Sequence, residues 1–175
     1  KDLYDEYRLD EPWDSPNNLK LLKKMPHFYG DDPDGRTRFM VFTGKGSLFP
    51  TATAALPFDD IKDGESTTIL LVEAGPEKAV PWTKPQDLPF DPKDPAAALG
   101  EVPQEGFTAV FLDLHIDTLP AEIDAEELKA LITPAGGERV IRPGEPLPGT
   151  DGFGTDDLEV PLDENPQEVE RDSER

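Results

Sequence analysis

The chain has 175 residues, enough for one domain with a core and a tail to spare, and its 38 acidic against 17 basic side chains give a formal net charge of -21. Such a surface repels phosphate backbones and anionic lipid, which argues against nucleic acid and membrane-surface partners and favours cations and basic partners. The absence of cysteine excludes disulfides, thiolate chemistry and cysteine-ligated zinc, while 20 prolines and 14 glycines suit short strands joined by many turns.

In chain order, Lys1 to Trp13 alternates acidic and aromatic positions and reads as a short helical turn or an extended arm. Ser15 as N-cap and Pro16 at the first helical position then predict a helix ending at Pro26, with Leu19, Leu22 and Met25 as its apolar stripe. The turn Gly30-Asp31-Asp32-Pro33-Asp34-Gly35 leads into a predicted strand over Arg38 to Thr43, and Thr51 to Pro57 reads as loop. After the turn signal Asp63-Gly64, the most apolar run, Ile69 to Val72, predicts a buried strand around which the chain is organised. It feeds a stiff connector carrying Pro81, Pro85, Pro89 and Pro92, each of which fixes its own φ and holds its predecessor extended. Trp82 and Phe90 in this connector either lid the sheet edge or form a partner-binding surface.

Phe107 to Leu112 reads as a strand buried on both faces, and Asp113-Leu114-His115 before Ile116 to Leu119 as a tight hairpin. A second helix starts at Asp124 as N-cap, with Glu127 three residues on and Ile123 placed to touch Leu128; Leu128, Leu131 and Ile132 form its buried stripe and Pro134 with Gly136-Gly137 closes it. Arg139 to Arg142 reads as a last strand. Composition changes at Gly144: Asp151 to Arg175 holds ten acidic side chains against two arginines. We therefore expect a globular domain over residues 1–143 and an acidic, weakly structured tail over 144–175.

Little in the chain points to catalysis. The two histidines, His27 and His115, fall in different elements with no partner at a familiar catalytic offset; His27 is expected to pack after the first helix and His115 to be solvated at the hairpin tip. Gly44-Lys45-Gly46-Ser47 lacks the longer glycine-bounded loop and the following helix of a phosphate site and reads as a turn. Three acidic turns offer oxygens to calcium: Asp31, Asp32 and Asp34; Asp59, Asp60 and Asp63; and Asp151, Asp156 and Asp157. None fits the twelve-residue helix-loop-helix pattern.

Several stretches carry a resemblance. Leu9-Asp10-Glu11-Pro12-Trp13-Asp14-Ser15 followed by Leu21-Leu22-Lys23-Lys24-Met25-Pro26, then Asp63-Gly64 to Glu73, Ala74 to Pro92, and Phe107 to Pro120 resemble a large paralogous family of planctomycete bacteria. That family carries motifs of the form "LDEPWDS", "LLxKMP", "DGTSNTILVVE", "VPWTKPxDLPFDP" and "FxADGSVRFLP". Its members begin with a prepilin-type segment and continue into a pseudopilin-like globular domain of uncharacterised function. The resemblance spans about residues 3 to 142, with Leu114 standing where the family has the turn glycine; the hairpin is therefore expected to turn differently or to carry strain.

The resemblance implies an α+β domain, with a small antiparallel sheet, two short helices and long proline-rich loops, whose sheet packs on the N-terminal helix of a pilin-like subunit. That helix is expected upstream of Lys1. The resemblance also implies a cell-envelope or extracellular setting, linked to type II secretion-like assemblies, and partners that are proteins or copies of the subunit assembled through that helix. Some pseudopilins bind calcium in a C-terminal loop, which by analogy of position directs attention to Asp151, Asp156 and Asp157. The leading expectation is thus a non-enzymatic structural or interaction domain, without membrane contact of its own. A calcium-dependent binding module around Trp82 and Phe90 is the second reading, and a hydrolase using carboxylates and His115 the third.

Overall fold

The computed structural model describes residues 2–51 and 53–137, and the fold is α+β. The tail predicted from residue 144, the strand predicted over 139–142 and the candidate calcium residues Asp151, Asp156 and Asp157 lie outside the described residues.

The chain opens with a short helix, α1 (Asp2–Glu6). The helix predicted to start at Ser15 forms instead as a 3₁₀ helix over Asn18–Lys24. Asn17 and not Ser15 is its N-cap, and the Ser15 hydroxyl oxygen accepts from the Asn18 N–H at 3.1 Å from the turn before it. With three residues per turn, Asn18 and Leu21 share a face, and these are the buried positions, whereas Leu19 of the predicted stripe is 42% exposed. The buried face of this helix opens with the Asn18 amide. That amide accepts from the Arg8 N–H at 2.9 Å and donates to the Arg8 and Pro12 carbonyls at 3.0 and 2.9 Å, so one side chain satisfies the arm before it.

The strand expected over Arg38 to Thr43 starts two residues earlier, at Arg36, and the stretch is divided among three partners. β1 (Arg36–Thr37), β2 (Phe39–Met40) and β3 (Phe42–Thr43) follow one another, then come β4 (Ile69–Glu73), β5 (Val80–Pro81) and β6 (Leu88–Pro89). β1 pairs antiparallel with β5, β2 antiparallel with β4, and β3 parallel with β6. The proline-rich connector is responsible. It runs alongside the strand in the same direction at β6, so that the Leu88 and Phe90 N–H groups donate to the Val41 and Thr43 carbonyls at 2.9 and 2.8 Å, in bonds the prolines beside them cannot make.

β7 (Phe107–Phe111) and β8 (Ile116–Leu119) complete a four-stranded antiparallel sheet in the order β2-β4-β7-β8. Opposite β7, the pairs Ile69 with Phe111, Leu71 with Val110 and Val72 with Ala109 leave Leu70 as an extra residue, a β-bulge. The bulge shifts the alternation by one. Ile69 and Val72, three apart, both enter the core, while Leu70 and Leu71 stay half-buried. β7 alternates strictly, with Phe107, Ala109 and Phe111 buried and Thr108 and Val110 half-buried, so the expectation of a strand buried on both faces is corrected.

One sheet face is closed by α2 (Ala125–Ile132), whose Leu128, Leu131 and Ile132 join Met40, Val72, Phe107, Ala109 and Phe111 in a single core. The Asp124 cap forms as expected, its carboxylate accepting from the Glu126 and Glu127 N–H groups at 2.9 and 3.2 Å, and Ile123 packs against the core. At the other end Asp63 does more than turn the chain. Its carboxylate accepts from the Gly136 and Gly137 N–H groups at 2.8 and 3.0 Å, and the Pro134 carbonyl accepts from Lys62 and Asp63, tying the exit of α2 to the entrance of β4.

Candidate functional site: an open apolar face of the sheet

The opposite face of the same sheet is uncovered among the described residues. Alternation and the bulge place Phe39, Leu70, Leu71, Thr108, Val110 and Ile116 there, lining a groove of about 850 Å³. Three of the most exposed large hydrophobic side chains of the described residues, Phe28 at 72%, Leu114 at 71% and Ile116 at 69%, line this one groove. Scattered exposed hydrophobics are ordinary; a contiguous set on one sheet face is not.

One rim is aromatic. Phe28 and Tyr29 have ring centroids 4.5 Å apart and Tyr29 and Trp82 5.7 Å. Trp82 is half-buried and anchored: its indole N–H donates to the Leu21 carbonyl at 3.2 Å, and its backbone N–H to the Gly35 carbonyl at 3.0 Å. Gly35 has φ +69°, and a Cβ there would lie 2.1 Å from the Leu22 carbonyl oxygen, so glycine is required for the 3₁₀ helix to dock against this turn. The rim is therefore held by backbone contacts from two directions.

The other rim is the β7-β8 hairpin. The Leu114 N–H donates to the Phe111 carbonyl at 2.9 Å and the Phe111 N–H to the His115 carbonyl at 3.0 Å, a three-residue loop whose last residue must be left-handed. That residue is Leu114, at φ 67°, so the loop keeps the glycine conformation and carries the strain of a side chain in it. The strained residue is also an exposed wall of the groove.

Polar groups sit at two places. Beside the groove, Glu73 accepts from the Thr108 hydroxyl at 2.9 Å and pairs with the Arg38 guanidinium, which donates to the Ala74 carbonyl at 3.3 Å; Arg38 and Glu73 themselves line a neighbouring cleft. On the wall, burial pushes the Asp87 carboxyl above the ordinary aspartate value, and the Val41 N–H that it accepts draws it part of the way back. Asp87 has no ion pair among the described residues. Lys84 lines the same groove with its ammonium 5.7 Å from the Trp13 ring centre.

Of the two aromatics expected to form a surface, the structure places only Trp82 at the groove. Phe90 is buried, meeting Phe42 edge to face at 6.5 Å, because the connector turns it into the core beside Leu88; its reading as an exposed surface is corrected. The histidines exchange their expected roles. His27 is exposed with Nδ1 3.0 Å from Asp31, whereas His115 stacks flat on Phe111 with centroids 4.3 Å apart and turns Nδ1 to Asp113. The groove is lined by Leu114 and Ile116 on either side of His115 and not by His115 itself.

The acidic turns serve the backbone: Asp32 accepts from the Asp34 N–H at 2.8 Å, and Asp63 holds the glycines after α2. Among the described residues no group of three or more acidic or histidine side chains is arranged to hold a metal ion. Ser47 of the Gly-Lys-Gly-Ser segment is buried and donates within its own turn, with the Gly44 and Phe49 carbonyls at 2.9 and 3.1 Å. In comparisons with known proteins, no family model, no curated protein and no solved structure matches this chain.

Proposed function

We propose that the chain is a non-enzymatic structural or interaction domain of a pilin-like protein of the cell envelope or the extracellular space, and that the open sheet face is the seat of an apolar helix. The uncovered apolar groove carries this reading. Four strands spaced about 4.8 Å apart make a face about 14 Å wide. One helix about 10–12 Å across fills that width, between the aromatic rim and the hairpin. Burial of Leu114 and Ile116 beneath it would contribute about 1.5–3 kcal/mol each. The motif resemblance points to the same arrangement, since a pilin-like subunit lays its sheet on a long N-terminal helix. No helix among the described residues is long and apolar enough to cross a membrane.

Because the chain has no cysteine, the variant Ile116→Cys carries a single reporter thiol. We expect maleimide to label it rapidly in the purified chain and slowly in envelope fractions of cells producing the protein. Equal rates in both would remove the groove as a docking face.

A further inference from the structure

We propose that the helix seated in the groove carries a lysine or arginine that pairs with Asp87, an inference that rests on the docking reading above and adds the chemistry of the partner. Asp87 lies on the groove wall; among the described residues the cation that lines the groove with it, Lys84, sits over Trp13, and Lys78 shares with it only the neighbouring cleft. In the open groove water reaches the carboxylate. A helix laid over the groove strips that water, and a carboxylate covered without a cation is among the costliest groups a protein interior can hold. An arriving cation turns that cost into a charge-assisted hydrogen bond that fixes the register of the helix. The same reasoning disfavours a second copy of this chain, since each copy brings a net charge of -21.

The test titrates three synthetic 20-residue helices of leucine, alanine and glutamine into the purified chain by calorimetry, identical except for one central apolar-face position holding lysine, glutamine or glutamate. A fourth carries the lysine on the opposite face and measures attraction to the chain's overall acidity. We expect the first lysine peptide to bind at least about tenfold more tightly than both the glutamine peptide and the opposite-face control. The glutamate peptide should bind most weakly, and Val110→Lys should abolish binding of all four. Asp87→Asn should erase the lysine preference and leave the glutamine peptide's affinity intact; should that variant misfold, the lysine-to-glutamate ratio on the parent chain decides. Equal binding of lysine and glutamine peptides, with Val110→Lys still abolishing it, would overturn the role of Asp87 and leave the groove standing. Absence of binding, or binding indifferent to Val110→Lys, would overturn the groove reading and this inference together. A dimer of the purified chain in sedimentation, dissolved by Val110→Lys, would put a second copy in the groove and equally overturn the proposal.

Discussion

The two faces of the four-stranded sheet are made from alternate residues of the same strands and have opposite fates. On β7 the odd positions, Phe107, Ala109 and Phe111, vanish beneath α2 and the proline-rich connector, while Thr108 and Val110 between them look into an open groove. The core is therefore built on one face, and the other stays uncovered among the described residues. The largest effect expected follows directly. Leu128→Ala, emptying a fully buried site against the core face, should cost about 2–5 kcal/mol in urea unfolding. Ile116→Ala on the groove face should stay within about 0.5 kcal/mol. Comparable losses on both faces would mean that the groove side is already part of the core.

How far the sequence disclosed this division depended on whether a feature was local. β4 was legible from its apolar run, and α2 from Asp124, Ile123 and the Leu128, Leu131 and Ile132 stripe, because caps and helical periodicity act over four or five residues. The fate of Arg36 to Thr43 was not, since its division into three strands is imposed by a connector some forty residues later that competes for the same backbone groups. Nor was the bulge at Leu70, which inverts the alternation of β4 through its pairing with β7 and without a marker residue. Nor was the 3₁₀ winding of residues 18–24, whose buried face includes Asn18, a residue that apolar periodicity ignores. The groove had one readable trace: the Thr108, Val110 and Ile116 set follows from alternation once β7 is taken as half-covered.

A second way to sharpen the contrast lies at the boundary of the covered face. Asp63→Ala removes the acceptor for the two glycine N–H groups after α2 and should cost about 1–2 kcal/mol, loosening the helix that closes the core. Hydrogen exchange should show the loss at Leu128 to Ile132 before it reaches β8. Uniform loss of protection would make α2 and the sheet one cooperative unit, and the distinction between faces would then carry less weight.

Leu114→Gly tests the open side and carries the opposite sign. Glycine accepts φ 67° without the penalty a leucine incurs, so the variant should be more stable by about 0.5–1 kcal/mol. It should also bind the apolar helix peptides more weakly, having lost one wall of the groove. A less stable variant would show that Leu114 already packs against something, and that this rim is not free.

The smallest effect distinguishes a carboxylate that is merely tolerated from one reserved for a partner. The folded-state pKa of Asp87 is raised above the ordinary 3.8 by burial, so ionising it weakens the fold. The cost is absent at pH well below the unfolded value, grows as pH rises toward the folded value, and is constant above it. Asp87→Asn can still accept from the Val41 N–H, and should raise the thermal midpoint at pH 7 by about 1 °C, the carboxylate being only partly shielded. That gain should disappear as the pH falls below the ordinary aspartate value. With saturating lysine peptide the order should reverse, the parent chain melting above the asparagine variant, because the peptide's cation stabilises only the ionised form. A gain that persists in the presence of the peptide would mean that Asp87 is indifferent to what occupies the groove.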